Sequence, residues 1–221
     1  MILFIIVYLL ALGCYLYTRN AGNKRLRALN KYLMATMYLV WAIYWFFRKY
    51  TFASYHPLLI AALIFAWLGD VFLVFDFGRG GDFFLAGNVC FVLYEQILMV
   101  DHGKTFGDFA WTFVVVALML AAFIFACGRY PERFKLGKMR WPMTFYLSSI
   151  FMHGITGLAL ALLVPGTGYM MMGIGSLLFM ISDMILTTYK FVLGDKKWLV
   201  RANSLSYFTG LLLIVLGMSL V

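Results

Sequence analysis

Residues 109–127 read FAWTFVVVALMLAAFIFAC, nineteen consecutive positions without a charge. A run of that length fits one helical crossing of the roughly 30 Å hydrocarbon layer, which takes about 17–25 residues at 1.5 Å each. The run is continuous rather than alternating, so it predicts a helix that satisfies its own backbone in lipid and not a strand of a membrane barrel. Seven further runs of the same kind surround it: Met1–Tyr17, Tyr32–Phe47, Pro57–Phe75, Phe83–Val100, Met143–Val164, Met170–Tyr189 and Leu199–Val221. Short connections leave no room for a soluble domain. The expectation is one all-α transmembrane domain over residues 1–221, a polytopic bundle of about eight helices.

Composition agrees with that reading. Of 221 residues, 64% are hydrophobic and only 12% charged, with a mean hydropathy of +0.91. A soluble domain keeps roughly a quarter of its residues charged, so soluble, disordered, collagen-like and disulfide-stapled classes drop out. The net charge of +9 would suggest nucleic acid in a soluble protein. Its distribution points elsewhere. Arg19, Lys24, Arg25, Arg27 and Lys31 fill loop 1, Arg79 is in loop 3, Arg129, Arg133, Lys135, Lys138 and Arg140 are in loop 5, and Lys190, Lys196, Lys197 and Arg201 flank loop 7. Only Arg48, Lys49 and Lys104 fall on the even loops. The positive-inside rule then puts the odd loops in the cytoplasm and both termini on the non-cytoplasmic side. The basic excess is orientation plus attraction to anionic headgroups, and no nucleic-acid partner is expected.

The first run lacks a basic leader and a cleavage site, so it is expected to be retained as a helix. A chain this compact suits a bacterial inner membrane. Cys14, Cys90 and Cys127 have no paired spacing and are expected to be small buried hydrophobes. His-x3-His and Cys-x2-Cys spacings are absent, and neither metal nor cofactor is expected.

Polar residues inside the runs carry the chemistry, because burying an ionisable group in lipid costs several kcal/mol and marks a site or pathway. They are Asp70, Asp183, Glu95, His153 and Asn88. Asp70 lies six residues before Asp76, and Asp183 seven before Lys190, so each is expected about 9–10 Å below the cytoplasmic end of its helix. Each follows a small residue, Gly69 or Ser182, and precedes a leucine by three, Leu73 or Leu186. If the two helices face each other, the carboxylates converge on one pocket. Close carboxylates in low dielectric resist joint ionisation, the arrangement of a general acid beside a general base. The alternative is that each Asp is a helix-packing device hydrogen-bonded to a neighbour. His153, flanked by Gly154 and Gly157, reads more readily as a packing residue than as a base. Asp76, Asp82, Asp101 and Asp108 read as solvated loop residues.

Gly69-Asp70-Val71-Phe72-Leu73, then Phe83-Phe84-x-x-Gly87, and above all Gly175-Ser176-Leu177-Leu178-Phe179-x-Ile181-Ser182-Asp183-x-x-Leu186 resemble the signatures of the YhhN-like lysoplasmalogenases. That resemblance implies an eight-helix integral membrane hydrolase that cleaves the vinyl ether bond of lysoplasmalogens, single-chain lysophospholipids. Products would be a fatty aldehyde and a glycerophospho-amine, ethanolamine or choline. It also implies that Asp70 and Asp183 are the catalytic pair, without metal or cofactor. Asn88, Glu95, Ser182 and Tyr207 are expected to bind substrate. The sequence departs from the family pattern at Glu95, where histidine is usual, and at Gly210, where glutamine is usual. A small proton-coupled transporter, with a helix broken near Gly173 and Gly175, and a non-catalytic lipid-binding protein are the alternatives.

Overall fold

The computed structural model describes residues 1–19, 23–52, 54–134, 136–194 and 196–221, with Lys24 described through its backbone alone. Lys135 and the Lys24 side chain, two of the basic positions counted above, lie outside the described residues. The chain forms α1 (Ile2–Thr18), α2 (Lys24–Lys49), α3 (Pro57–Phe72), α4 (Phe77–Asp101), a one-turn α5 (Phe106–Phe109) leading into α6 (Trp111–Arg129), α7 (Arg140–Leu163), α8 (Thr167–Thr188) and α9 (Lys197–Leu220). A 3-10 turn, Gly137–Met139, precedes α7, and a π-helical turn, Tyr189–Leu193, extends α8. The described residues contain no strand.

Local chemistry starts several helices earlier than the apolar runs suggest. Asn23 caps α2, its side chain accepting from the backbone N–H groups of Arg25 and Leu26 at 3.1 Å each. Asp76 caps α4, accepting from Gly78 N and Arg79 N. Arg25, Arg27, Lys31 and Arg79 are therefore helical residues, not loop residues. The same correction applies to Asp82 and Asp101 on α4 and to Asp108 on α5, where it forms a capping box with Thr105. The Thr105 backbone N–H and hydroxyl donate to Asp108 Oδ2 at 2.7 and 2.9 Å.

Five segments are long and apolar enough to cross a membrane: Phe77–Asp101, Phe106–Arg129, Gly137–Leu163, Thr167–Leu193 and Lys197–Leu220. Ile2–Thr18 and Pro57–Phe72 are apolar but shorter. Basic residues in the first two turns of α2 separate it from both groups.

Seven of the helices pack as a closed ring in the order α1, α2, α3, α4, α7, α8, α9, with α9 returning to α1 and α2. α6 lies outside, against α7. Tyr50 OH donates to Met218 O at 2.8 Å, Lys49 Nζ to Ser219 O, and Ser219 sits against Met1, so both termini share one end. Arg19, Arg27, Lys31, Lys190 and Lys197 gather at the other, basic end. Of the cysteines, Cys127 is buried, Cys90 half-buried and Cys14 exposed. The expectation fails for Cys14 because α1 packs chiefly on α2 and α9, and Cys14 stands on its exposed face.

Close helix approach is made by glycine. An added Cβ at Gly175 would meet Gly210 O at 2.6 Å, and one at Gly210 would meet Gly175 O at 2.7 Å. One helical heptad away on each strand of the contact, Gly168 lies against Gly217. The two small-residue pairs let the α8 and α9 backbones touch, the means by which helices associate without a hydrophobic driving force in lipid. Gly210→Val should therefore destabilise the bundle by about 1–3 kcal/mol, the usual cost of overpacking. Gly13→Ala, where an added Cβ meets nothing within 4 Å, should be near neutral. Thermal unfolding in detergent checks both; equal melting temperatures for the two variants would contradict the packing account.

Candidate active site

α3 ends at Phe72, so Asp70 stands in its last turn rather than well below the helix end. The chain stops early because three turn residues lead directly to the Asp76 cap of α4. Asp183 stands five residues before the end of α8. Both side chains are buried, at 1% and 5% exposure. The small residues before them have distinct jobs. A Cβ at position 69 would come within 2.8 Å of the Phe84 ring, so Gly69 admits Phe84 of α4 beside Asp70. Ser182 donates back to Phe179 O at 2.7 Å, and its own carbonyl accepts from Asn203 Nδ2 at 2.7 Å, tying α8 to α9.

Asp70 and Asp183 line a single chamber of about 50 Å³, together with Asn203, Ser204, Tyr207 and Phe84. Lys31 Nζ lies 3.0 Å from Asp70 Oδ1 and donates to the Asp70 backbone carbonyl at 3.2 Å. Tyr207 OH donates to Asp70 Oδ2 at 2.8 Å. Asp183 Oδ2 accepts from Tyr146 OH at 3.0 Å. Among the described residues no cation stands within ion-pair distance of Asp183. The two acids thus share a chamber but have unequal partners, one neutralised and one only hydrogen-bonded. Such pairs with unlike surroundings can divide acid and base work.

Toward the basic end the chamber adjoins a larger cavity of about 550 Å³, where Arg19, Arg27, Lys31, Lys190 and Lys197 face in. Leu73 and Leu186, the two leucines of the matched sequence elements, line both spaces. Arg19 Nε donates to Ser204 Oγ at 3.2 Å, joining the cavity wall to the chamber wall. The arrangement can attract an anionic group to the rim and present a neighbouring bond to the two acids.

Of the four positions expected to bind substrate, Tyr207 lines the chamber; Ser182 does not, its hydroxyl being turned back to its own helix. Asn88 and Glu95 stand elsewhere. Glu95 Oε1 accepts from Ser176 Oγ at 2.7 Å and is 3.5 Å from His153 Nε2. His153 Nδ1 meets Asn88 Oδ1 at 3.2 Å, Asn88 Nδ2 donates to Ser149 Oγ at 3.3 Å, and the imidazole stacks on Phe91 with centroids 4.4 Å apart. This network is buried between α4, α7 and α8 and contributes nothing to the chamber lining. Gly210, the other departure, belongs to the α8–α9 seam.

Sequence reasoning missed Lys31 as the partner of Asp70, and Tyr146 and Asn203 altogether. Lys31 carried a usable signal, since an intramembrane carboxylate calls for a cation and Lys31 is the basic residue nearest the apolar part of α2. Removing one partner of a buried ion pair leaves a charge uncompensated and costs roughly 3 kcal/mol or more. Lys31→Met should accordingly destabilise the protein by about that amount, and the double variant Lys31→Met/Asp70→Asn should recover part of the loss. A double-mutant cycle on unfolding in detergent measures it; strictly additive effects would show that the contact is not an energetic pair.

A model of the YhhN family matches residues 26–218, which include every residue lining the chamber except Tyr15 and Arg19. No curated protein and no solved structure matches the chain. With the match running over most of its length, the chain belongs to the YhhN family, the family of the lysoplasmalogenases.

Proposed function

We propose that this protein hydrolyses the vinyl ether bond of a lysoplasmalogen, releasing a fatty aldehyde and a glycerophospho-amine. The observation that carries the proposal is the shared chamber of Asp70 and Asp183, with Lys31 on one acid only. Family membership supplies the reaction class.

Vinyl ether hydrolysis begins with a proton delivered to the carbon remote from the ether oxygen. We assign that proton to Asp183, because Lys31 pairs with Asp70 and, among the described residues, no cation stands within ion-pair distance of Asp183. Protonation turns the vinyl ether into an oxocarbenium ion. The Asp70 carboxylate, held by Tyr207 and Lys31, then stabilises this cation and takes a proton from the water that attacks it, as paired carboxylates do at glycosidic bonds. The hemiacetal so formed collapses: the Asp183 carboxylate takes its hydroxyl proton, the carbon–oxygen bond to glycerol breaks, and Asp70 gives the glycerol oxygen the proton it took from water. Aldehyde and alcohol leave, and the proton borrowed from Asp183 is restored.

In this account the basic end faces the cytoplasm of a bacterial inner membrane, with eight crossings and both termini outside. Excess basic residues at that end support the orientation. Arg19 and Arg27 of the larger cavity, a vestibule to the chamber, would hold the lipid phosphate. The transporter alternative calls for a helix broken at mid-membrane. α8 runs unbroken from Thr167 to Thr188, and its Gly173 and Gly175 are spent on close packing.

Purified protein should release aldehyde from a lysoplasmalogen. Asp70→Asn and Asp183→Asn should each lower kcat/KM by about 10²–10⁴, the range for loss of a positioned acid or base, with the folded state retained. Undiminished turnover in either variant would sink the mechanism, and uptake of lipid into proteoliposomes without aldehyde would favour transport.

A further inference from the structure

Two more spaces lie on the α4–α7 side of the chamber, the first adjoining both the chamber and the larger basic cavity, the second reached through the first and further from the basic end. The first is a narrow passage of about 100 Å³ between α4 and α7, which shares Leu73, Phe84 and Leu186 with the chamber and is bordered by Tyr146, the donor to Asp183. Apart from Asp82 at its mouth, the passage carries no charge. Pro142 and Met143 of α7 face Gly78, Gly81 and Leu85 of α4 across it. Leu85 also lines the second space, a groove of about 460 Å³ that runs along α4 from Leu85 to Leu93, bounded by Val116 of α6 and by Phe145 and Met152 of α7.

The groove is open to the outside of the bundle, with Val89, Leu93 and Phe145 exposed at 47%, 44% and 67%. Its two hydroxyls are already satisfied within their own helix, Ser148 on Phe145 O at 2.6 Å and Ser149 on Tyr146 O at 2.8 Å. Both hydroxyl donors are thus spent within the protein and are not offered to an occupant. Eight helical steps along α4, from Leu85 to Leu93, make it about 12 Å long. It begins beside Phe84, at the level of the acids, and extends toward the middle of the bundle.

Charge and apolar surface are thus sorted along one path. Five basic side chains stand at one end, two acids in the middle and an uncharged groove at the other. An amphiphile with an anionic head and a single hydrocarbon chain fits that order. A two-chain lipid would have to thread both chains through the narrow passage or leave one outside. Resting on the hydrolase reading for the position of the cleaved bond, we propose that the α4–α6–α7 groove binds the hydrocarbon chain of the substrate, which enters and leaves sideways through the α4–α7 passage.

The test uses intact protein in nanodiscs and a lysophosphatidylethanolamine whose ester-linked chain carries a photoreactive diazirine. This probe lacks the vinyl ether, so labelling does not depend on turnover. Expected are adducts on residues 85–93 and 145–152, suppressed by excess unlabelled lysophosphatidylethanolamine and reduced in Val89→Trp. With vinyl ether substrates, Val89→Trp and Leu85→Trp should lower the ratio of long-chain to short-chain kcat/KM by about tenfold, a transition-state difference of about 1.4 kcal/mol. Adducts spread over the outer faces of α1, α2 and α6 without competition would mean bulk lipid only and would overturn the proposal. So would an unchanged chain-length ratio in both variants. Competed labelling in the groove without aldehyde release from wild-type protein would instead leave the groove standing and remove the hydrolase reading.

Discussion

Two carboxylates held out of water constrain this molecule more than any other feature. A buried acid must be neutralised or hydrogen-bonded, and an apolar bundle has few groups to offer. Each of the few it has comes from a different helix. Lys31 reaches Asp70 from α2 and Tyr207 reaches it from α9, while Tyr146 reaches Asp183 from α7. The acids therefore fix how three of the seven ring helices stand around α3 and α8. That geometry depends in turn on glycine. Gly175 and Gly210 let α8 and α9 touch less than one turn from Tyr207, whose hydroxyl reaches Asp70.

The remaining charge is sorted to the two ends, and the sorting matches what a single-chain phospholipid presents. Arg19 and Arg27 at the vestibule suit a phosphate, while Val89 and Leu93 on α4 suit a methylene chain. The bond between head and chain would then fall at the level of Phe84, against the acids. One helix thus contributes to every stage: Phe77 borders the vestibule, Phe84 the chamber and Leu93 the far end of the groove.

Much of this was legible in the sequence, and for physical reasons. Lipid forces continuous apolar runs into helices, so among the described residues a helix stands at each of the eight runs, five of the segments being long and apolar enough to cross a membrane. Rarity of charge made Asp70 and Asp183 conspicuous, and they share a chamber with Leu73 and Leu186. Helix starts were less legible, because Lys24 to Lys31 has a loop's composition and only the Asn23 cap marks it as helical. That ambiguity is why Lys31 looked like part of a basic rim instead of the counter-ion of Asp70. Asn88 and Glu95 illustrate a different limit. Phe84, Asn88, Phe91 and Glu95 all lie on one buried face of α4, but a helix face does not say at which depth its neighbours change. Glu95 stands about 16 Å further along α4 than Phe84, among Ser176 and His153 rather than the acids.

The central claim is that Asp183 protonates carbon while Asp70 remains the carboxylate, and solvent deuterium reports on it directly. Turnover of a lysoplasmalogen in D2O, with the aldehyde trapped as it forms, should place one deuterium on the carbon next to the carbonyl, and Asp183→Asn should all but stop formation of that labelled product. Aldehyde without deuterium, or labelled aldehyde produced by Asp183→Asn at the wild-type rate, would contradict the account.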